Sequence, residues 1–189
     1  MGKKSKTLVL GLGNPILGDD GVGWRAAEAF NKALCDAHLT GHRIEVDFLS
    51  VGGLTLMERM IGYNRAILVD AALTGNHPFG FVSFSPLEQL PNYAQGHLSS
   101  SHDTTLQNAL AIGRKIGACL PEEIWVVTIE AQNTYEFSDQ LSLPVSSAVP
   151  QAVEIIFSLL SIEVVETWTN QDPIRPQTLG SRSNKETSL

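Results

Sequence analysis

Apolar residues in this chain fall into two patterns, short unbroken runs and longer stripes spaced three and four residues apart. Residues 7–12 form a continuous apolar run leading into Gly13, the pattern of a strand buried on both faces. From Val22 the apolar positions Val22, Ala26, Phe30, Ala33 and Ala37 recur at helical steps, so a helix is expected to about His38. Residues 43–49 alternate in part, as a strand near a sheet edge does. Gly52-Gly53 then breaks the pattern before a short helix over 54–61. Residues 65–73 (RAILVDAAL) are the clearest buried strand, with Asp70 as their one charged interior residue, and 81–85 continue as a strand. Residues 86–101 read as a long polar loop.

Asp103 is placed to cap a helix whose inner side carries Leu106, Ala109, Leu110, Ile112 and Ile116, ending near Cys119 and Pro121. Residues 124–129 make another buried strand. A last helix over 146–163 carries Val149, Val153, Ile156, Leu159 and Leu160. No internal repeat is present. Strands alternating with helices imply an α/β fold, a three-layer α/β/α sandwich (phosphorylase/hydrolase-like) around a mainly parallel, twisted sheet of about five strands. Residues 1–166 are expected to form one domain, and the polar, proline-containing stretch 167–189 a disordered tail. In such sheets ligands bind where strands end, so the residues following Leu12, Val69 and Ile129 are expected on one rim.

Composition narrows the function. At 189 residues and 43% hydrophobic, the chain can bury a sizeable core. Its net charge of -7 makes a field that repels polyphosphate, which argues against a nucleic-acid partner. Two cysteines, Cys35 and Cys119, lie among apolar helical positions and are expected to be buried and inert, so neither a disulfide framework nor a Cys-rich zinc site is available. The basic start, residues 1–6, leads into too few apolar residues for a signal peptide or a membrane span, which implies a cytoplasmic protein without a membrane partner.

The first loop carries the chemistry. The run 7–12 passes into Gly11-Leu12-Gly13-Asn14-Pro15, followed by Ile16-Leu17-Gly18-Asp19-Asp20-Gly21-Val22-Gly23. A dinucleotide loop needs a third glycine where Ile16 stands, and Asp19 and Asp20 would put negative charge where a pyrophosphate should lie. The string GLGNP also opens the peptidyl-tRNA hydrolases, but their catalytic histidine segment does not follow, and the first histidine downstream is His38. No H-E-x-x-H helix and no Ser-His-Asp arrangement is apparent. By itself, an aspartate before a helix is commonly a cap; a carboxylate ending a strand as apolar as that of Asp70 is costly unless paired or bound to a metal.

The whole string, G-x-G-N-x-x-x-x-D-[DE]-G-x-G, resembles the opening motif of the hydrogenase maturation endopeptidases, and the resemblance extends from about Thr7 to Glu163. It implies an aspartic-type or metal-dependent endopeptidase that removes the C-terminal extension of the large subunit of a [NiFe] hydrogenase after nickel insertion. It also implies that Asp20, Asp70 and His102, the last within SSSHDTTLQNA, are the metal-binding and catalytic residues. Two carboxylates and an imidazole suit nickel, or zinc or another divalent ion in its place. Nickel is expected to arrive with the precursor, and the enzyme to act as a monomer. The remaining histidines, His38, His42, His77 and His97, have no such support. One departure stands out: many relatives carry D-G-G-[TS] after the second strand, where this chain reads Ser50-Val51-Gly52-Gly53-Leu54, leaving Ser50 or Glu130 as acidic or polar substitutes near the rim. Alternative functions are a peptidyl-tRNA hydrolase-like esterase and a nickel-sensing assembly chaperone that cleaves nothing.

Overall fold

The computed structural model describes residues 6–36, 43–90, 105–132 and 134–160. Strands β1 (Lys6–Leu12), β2 (Arg43–Leu49), β3 (Arg65–Ala72), β4 (Val82–Pro86) and β5 (Glu123–Glu130) form one sheet in the order β2-β1-β3-β5-β4. The first three pairings are parallel, with Val9 beside both Val46 and Ile67, and Ile67 beside Trp125; β4 alone runs antiparallel, along β5. Among the described residues four α-helices cover it: α1 (Val22–Asp36), α2 (Gly53–Arg59), α3 (Leu106–Lys115) and α4 (Leu143–Leu159). This is the expected three-layer, mainly parallel α/β sandwich of five strands.

The unbroken apolar runs follow from burial on both faces. Along β1, Val9 belongs to one core with Val22, Ala26 and Phe30 of α1 and Val145, Ala152 and Ile156 of α4, whereas Leu8, Leu10 and Leu12 belong to a second core under α2 and α3. The same alternation divides β3, with Ile67, Val69 and Ala71 against α1 and α4, and Ala66 and Leu68 against α2 and α3. Phe30 and Phe157 meet ring to ring, 4.8 Å between centroids, where α1 crosses α4.

Several details depart from the sequence pattern. On α3, Leu106, Ala109 and Leu110 are buried as expected, but Ile112 and Ile116 are exposed, and the inward position one turn on from Leu110 is Gly113, which meets Met57 and Leu120. The cap of α3 is Thr105, whose side-chain oxygen accepts the Asn108 amide at 3.3 Å, rather than Asp103, which lies outside the described residues. Helix α4 begins at Leu143, with Pro144 in its first turn, where a missing N–H leaves no bond unmade; the expected start was Ser146. Cys35 and Cys119 are both exposed, the first in the last turn of α1 and the second in the connection between α3 and β5. His38, His42, His97, His102 and the stretch 161–189 lie outside the described residues. Among the described residues no helix is long and apolar enough to cross a membrane.

Candidate active site

The carboxyl ends of β1, β3 and β5 form one rim, and the glycines after β1 explain how an acidic loop is brought down onto it. A Cβ at Gly23, in the first turn of α1, would lie 2.2 Å from the Val69 carbonyl oxygen and 2.4 Å from that of Leu12. The helix therefore starts directly against the ends of β1 and β3, at a distance only glycine permits. Gly13 has a φ of 108°, and a Cβ there would lie 1.9 Å from the Asp20 carbonyl oxygen. The chain thus folds back so that Gly13 and Asn14 press on Asp20, which occupies the 3-10 turn Gly18–Gly21 leading into α1.

Asp20 and Asp70 are both buried, 6% and 2% exposed. The Asn14 amide donates to Asp20 Oδ2 at 2.6 Å, which fixes the rotation of that carboxylate. Asp70 shares the face of Ala66 and Leu68, the side covered by α2 and α3, and the Ala71 amide donates to its Oδ1 at 2.9 Å. Residues 91–104, which include His102, precede α3 in the sequence and lie outside the described residues. Among the described residues no three His, Cys, Asp or Glu side chains come together as a metal cage, so the two carboxylates are the part of the expected donor set on view. Carboxylate oxygens by themselves are hard donors that suit hard divalent cations, and it is an added imidazole that turns such a set toward nickel or zinc.

The other acidic and polar residues near the rim have structural partners. Asp19, fully buried, accepts from the Ser142 amide at 2.6 Å, the Ser142 hydroxyl at 2.9 Å and the Gln132 amide at 3.1 Å. It thus receives the start of α4 and makes no side-chain cap for the turn that carries it. Glu130 accepts from the Thr74 hydroxyl and the Gly75 amide, each at 2.7 Å, and so holds the loop between β3 and β4. The Ser50 hydroxyl donates to the Gly13 carbonyl at 2.8 Å, tying the end of β2 to the first loop, while Val51 is 46% exposed. Ser50 and Glu130, the two residues considered in place of Val51, thus each hold a loop at the rim. Trp24 Nε1 reaches the Leu49 carbonyl at 3.3 Å and braces the same corner.

The model of the hydrogenase maturation protease family matches residues 42–159, more than half of the chain. The chain belongs to the hydrogenase maturation protease family. That match contains Asp70 and the position of His102 but begins after Asp20. Among similar proteins, the hydrogenase expression/formation protein HupD of Rhizobium leguminosarum bv. viciae is 28% identical over 176 residues, covering 91% of this chain and 80% of that one. The fold is that of the hydrogenase maturating endopeptidase HybD from E. coli, at a TM-score of 0.68 and 23% identity over 82% of this chain and 92% of that one. The hydrogenase 2 maturation peptidase from Thaumarchaeota archaeon SCGC_AB-539-E09 matches with a TM-score of 0.58 and 26% identity, over 84% of this chain and all of that one, 100%.

In this maturation protease, then, the first loop and the end of β3 carry the two expected carboxylates, both buried at one rim. Sequence reasoning missed the partners of Asp19. The signal was present in Ser142-Leu143-Pro144, a helix start with a cap-type residue before a proline, but nothing local says that an aspartate 123 residues earlier meets it.

Proposed function

We propose that this protease removes the C-terminal extension of a [NiFe] hydrogenase large-subunit precursor once nickel has been inserted, and that it recognises the nickel through Asp20, Asp70 and His102. The observation that carries the reading is the placement of Asp20 and Asp70, two buried carboxylates at the carboxyl rim, each oriented by a backbone amide, in a chain of the maturation protease family. Burial makes ionised carboxylates costly, and a divalent cation that arrives with the substrate offsets that cost. Recognition and timing are then one event, because a precursor without nickel brings no counter-charge into the site.

The chain's own contribution is binding and orientation. Asn14 holds the Asp20 carboxylate, Ala71 holds that of Asp70, and the tight turn at Gly13 keeps the loop down against them. Substrate-borne nickel would polarise the scissile carbonyl and lower the pKa of an attacking water. Zinc or another divalent ion held in the precursor would satisfy the same oxygen and nitrogen donors. The protease is proposed to act in the cytoplasm as a monomer on this one precursor, without a nucleic-acid or membrane partner.

The test mixes the purified protein with nickel-loaded and nickel-free precursor and follows the precursor's C-terminus by mass spectrometry. Asp20→Asn and Asp70→Asn keep an acceptor for the backbone amides but remove the charge, and His102→Ala removes the imidazole. Each variant should fold and yet slow processing by more than about 100-fold, since losing even a partner that orients a ligand costs about 10- to 100-fold. Normal processing in all three would refute the site; binding of nickel-loaded precursor with no mass change would instead mark an assembly chaperone.

A further inference from the structure

We propose that Asp19 is a positioning residue for the proteolytic reaction, a clasp that joins the segment following β5 to the loop that presents Asp20. The inference rests on the reading of Asp20 as a nickel-recognising group. Asp19 is 0% exposed, and its two carboxylate oxygens accept three hydrogen bonds from residues far along the chain: Oδ1 from the Ser142 amide, Oδ2 from the Ser142 hydroxyl and the Gln132 amide. Gln132 lies just beyond β5 and Ser142 just before α4, so one side chain pins both ends of the segment 132–142.

A second set of bonds runs alongside. The Gly18 amide donates to the Ser138 carbonyl at 2.8 Å, the Ser138 amide donates to the Ile16 carbonyl at 3.1 Å, and Leu17 pairs with Ser138 as an isolated parallel bridge. The middle of the segment is therefore stitched to residues 16–18, and its two ends are held by residue 19. The loop is thus bonded to Ser138 and Ser142 at residues 16–19, while the Ser50 hydroxyl holds Gly13 at the end of β2.

Asp20 follows Asp19 directly, so the backbone that Asp19 anchors is the backbone from which the Asp20 side chain projects. Asn14 reaches Asp20 Oδ2 only because the loop closes back over this turn. Charge is the suitable chemistry for the clasp, because bonds to an ionised acceptor are stronger than neutral ones and a carboxylate can take all three donors, whereas an amide side chain offers a single acceptor oxygen. Loosening the clasp lets the turn shift, and a displacement of about 1 Å at a reacting group slows chemistry by about 100-fold.

The experiment uses the full chain in three variants, Asp19→Asn, Ser142→Ala and Asp20→Asn, with circular dichroism as a check of folding. The Ser142 variant removes only the hydroxyl donor, lies far from Asn14 in sequence, and serves if Asp19→Asn fails to fold. Processing of nickel-loaded precursor gives kcat and KM, and the Asn14 amide proton in a nitrogen–proton NMR spectrum reports its bond to Asp20. Asp19→Asn should lower kcat about 10- to 100-fold with KM changed less than about threefold, and should move the Asn14 resonance; Ser142→Ala should do the same more weakly. If the Gln132 and Ser142 amides move while Asn14 and kcat hold, Asp19 only receives α4 and the proposal is overturned. If Asp20→Asn processes normally, the nickel-recognition reading has failed instead, and the Asn14 resonance in the other two variants still decides whether Asp19 positions the carboxylate.

Discussion

Replacing Gly23 by alanine probes the close contact between α1 and the sheet on which the first loop depends. The new Cβ would stand 2.2 Å from the Val69 oxygen, 2.4 Å from the Leu12 oxygen and 3.0 Å from the Leu12 nitrogen, all backbone atoms of two central strands. Carbon reaches its optimal separation near 3.5 Å, so the start of α1 must withdraw by roughly 1 Å. Overpacking of this kind costs about 1–3 kcal/mol, and the upper end applies where no neighbour can rotate away. Alanine returns about 1 kcal/mol of helix propensity over glycine, leaving a net loss of about 2 kcal/mol. For a domain of this size that lowers Tm by about 4–8 °C.

Gly113→Ala in α3 is the matched control. Its added Cβ meets Leu120 Cδ1 at 2.8 Å and Met57 Sδ at 2.9 Å, the ends of adaptable side chains, so its stability should stay within about 1 kcal/mol of the parent. Thermal unfolding followed by circular dichroism, together with urea midpoints, measures both. Equal losses in the two variants, or a Gly23→Ala protein as stable as the parent, would refute the argument that backbone contact rather than glycine itself sets the cost.

Two further predictions concern groups that are not among the proposed metal ligands. At the β2 edge, the Tyr63 hydroxyl and then the Arg59 guanidinium hold the Glu45 carboxyl down from 4.5 to about 2. Because the folded pKa lies below the unfolded one, this stabilisation is present above about pH 4.5 and is lost as pH falls toward 2. Glu45 is 43% exposed, so the gain is under about 1 kcal/mol, and the urea midpoints of the parent and Glu45→Gln should converge across that window; a gap that stays constant with pH would contradict it. Glu130→Ala leaves the Thr74 hydroxyl and the Gly75 amide without their acceptor, at a cost of about 1–3 kcal/mol. Limited proteolysis should then cut between β3 and β4 faster than in the parent, and an unchanged rate would show that Glu130 does not hold that loop.

The layers were legible along the chain. The unbroken apolar runs at 7–12, 65–73 and 124–129 became β1, β3 and β5, because strands covered on both faces have no polar side to show. The helical stripe from Val22 gave α1, and Asp70 stood out as a charge where apolar neighbours make charge costly, whereas Asp20 was singled out only by the resemblance of its loop motif. These are local signals, carried by residues a few positions apart.

Which polar groups meet was settled by folding. That Asp19 receives Ser142, that Glu130 holds Thr74 and Gly75, and that Ser50 ties back to Gly13 all follow from the strand order β2-β1-β3-β5-β4, which sets distant loops side by side on one rim. The inner face of α3 was likewise settled by packing: Gly113 turns inward because Met57 and Leu120 fill the space beside it, which leaves Ile112 exposed despite its hydrophobicity. Spacing along a chain records the period of an element. Its rotation against its neighbours depends on side-chain volumes contributed by other elements, and those come together only on folding.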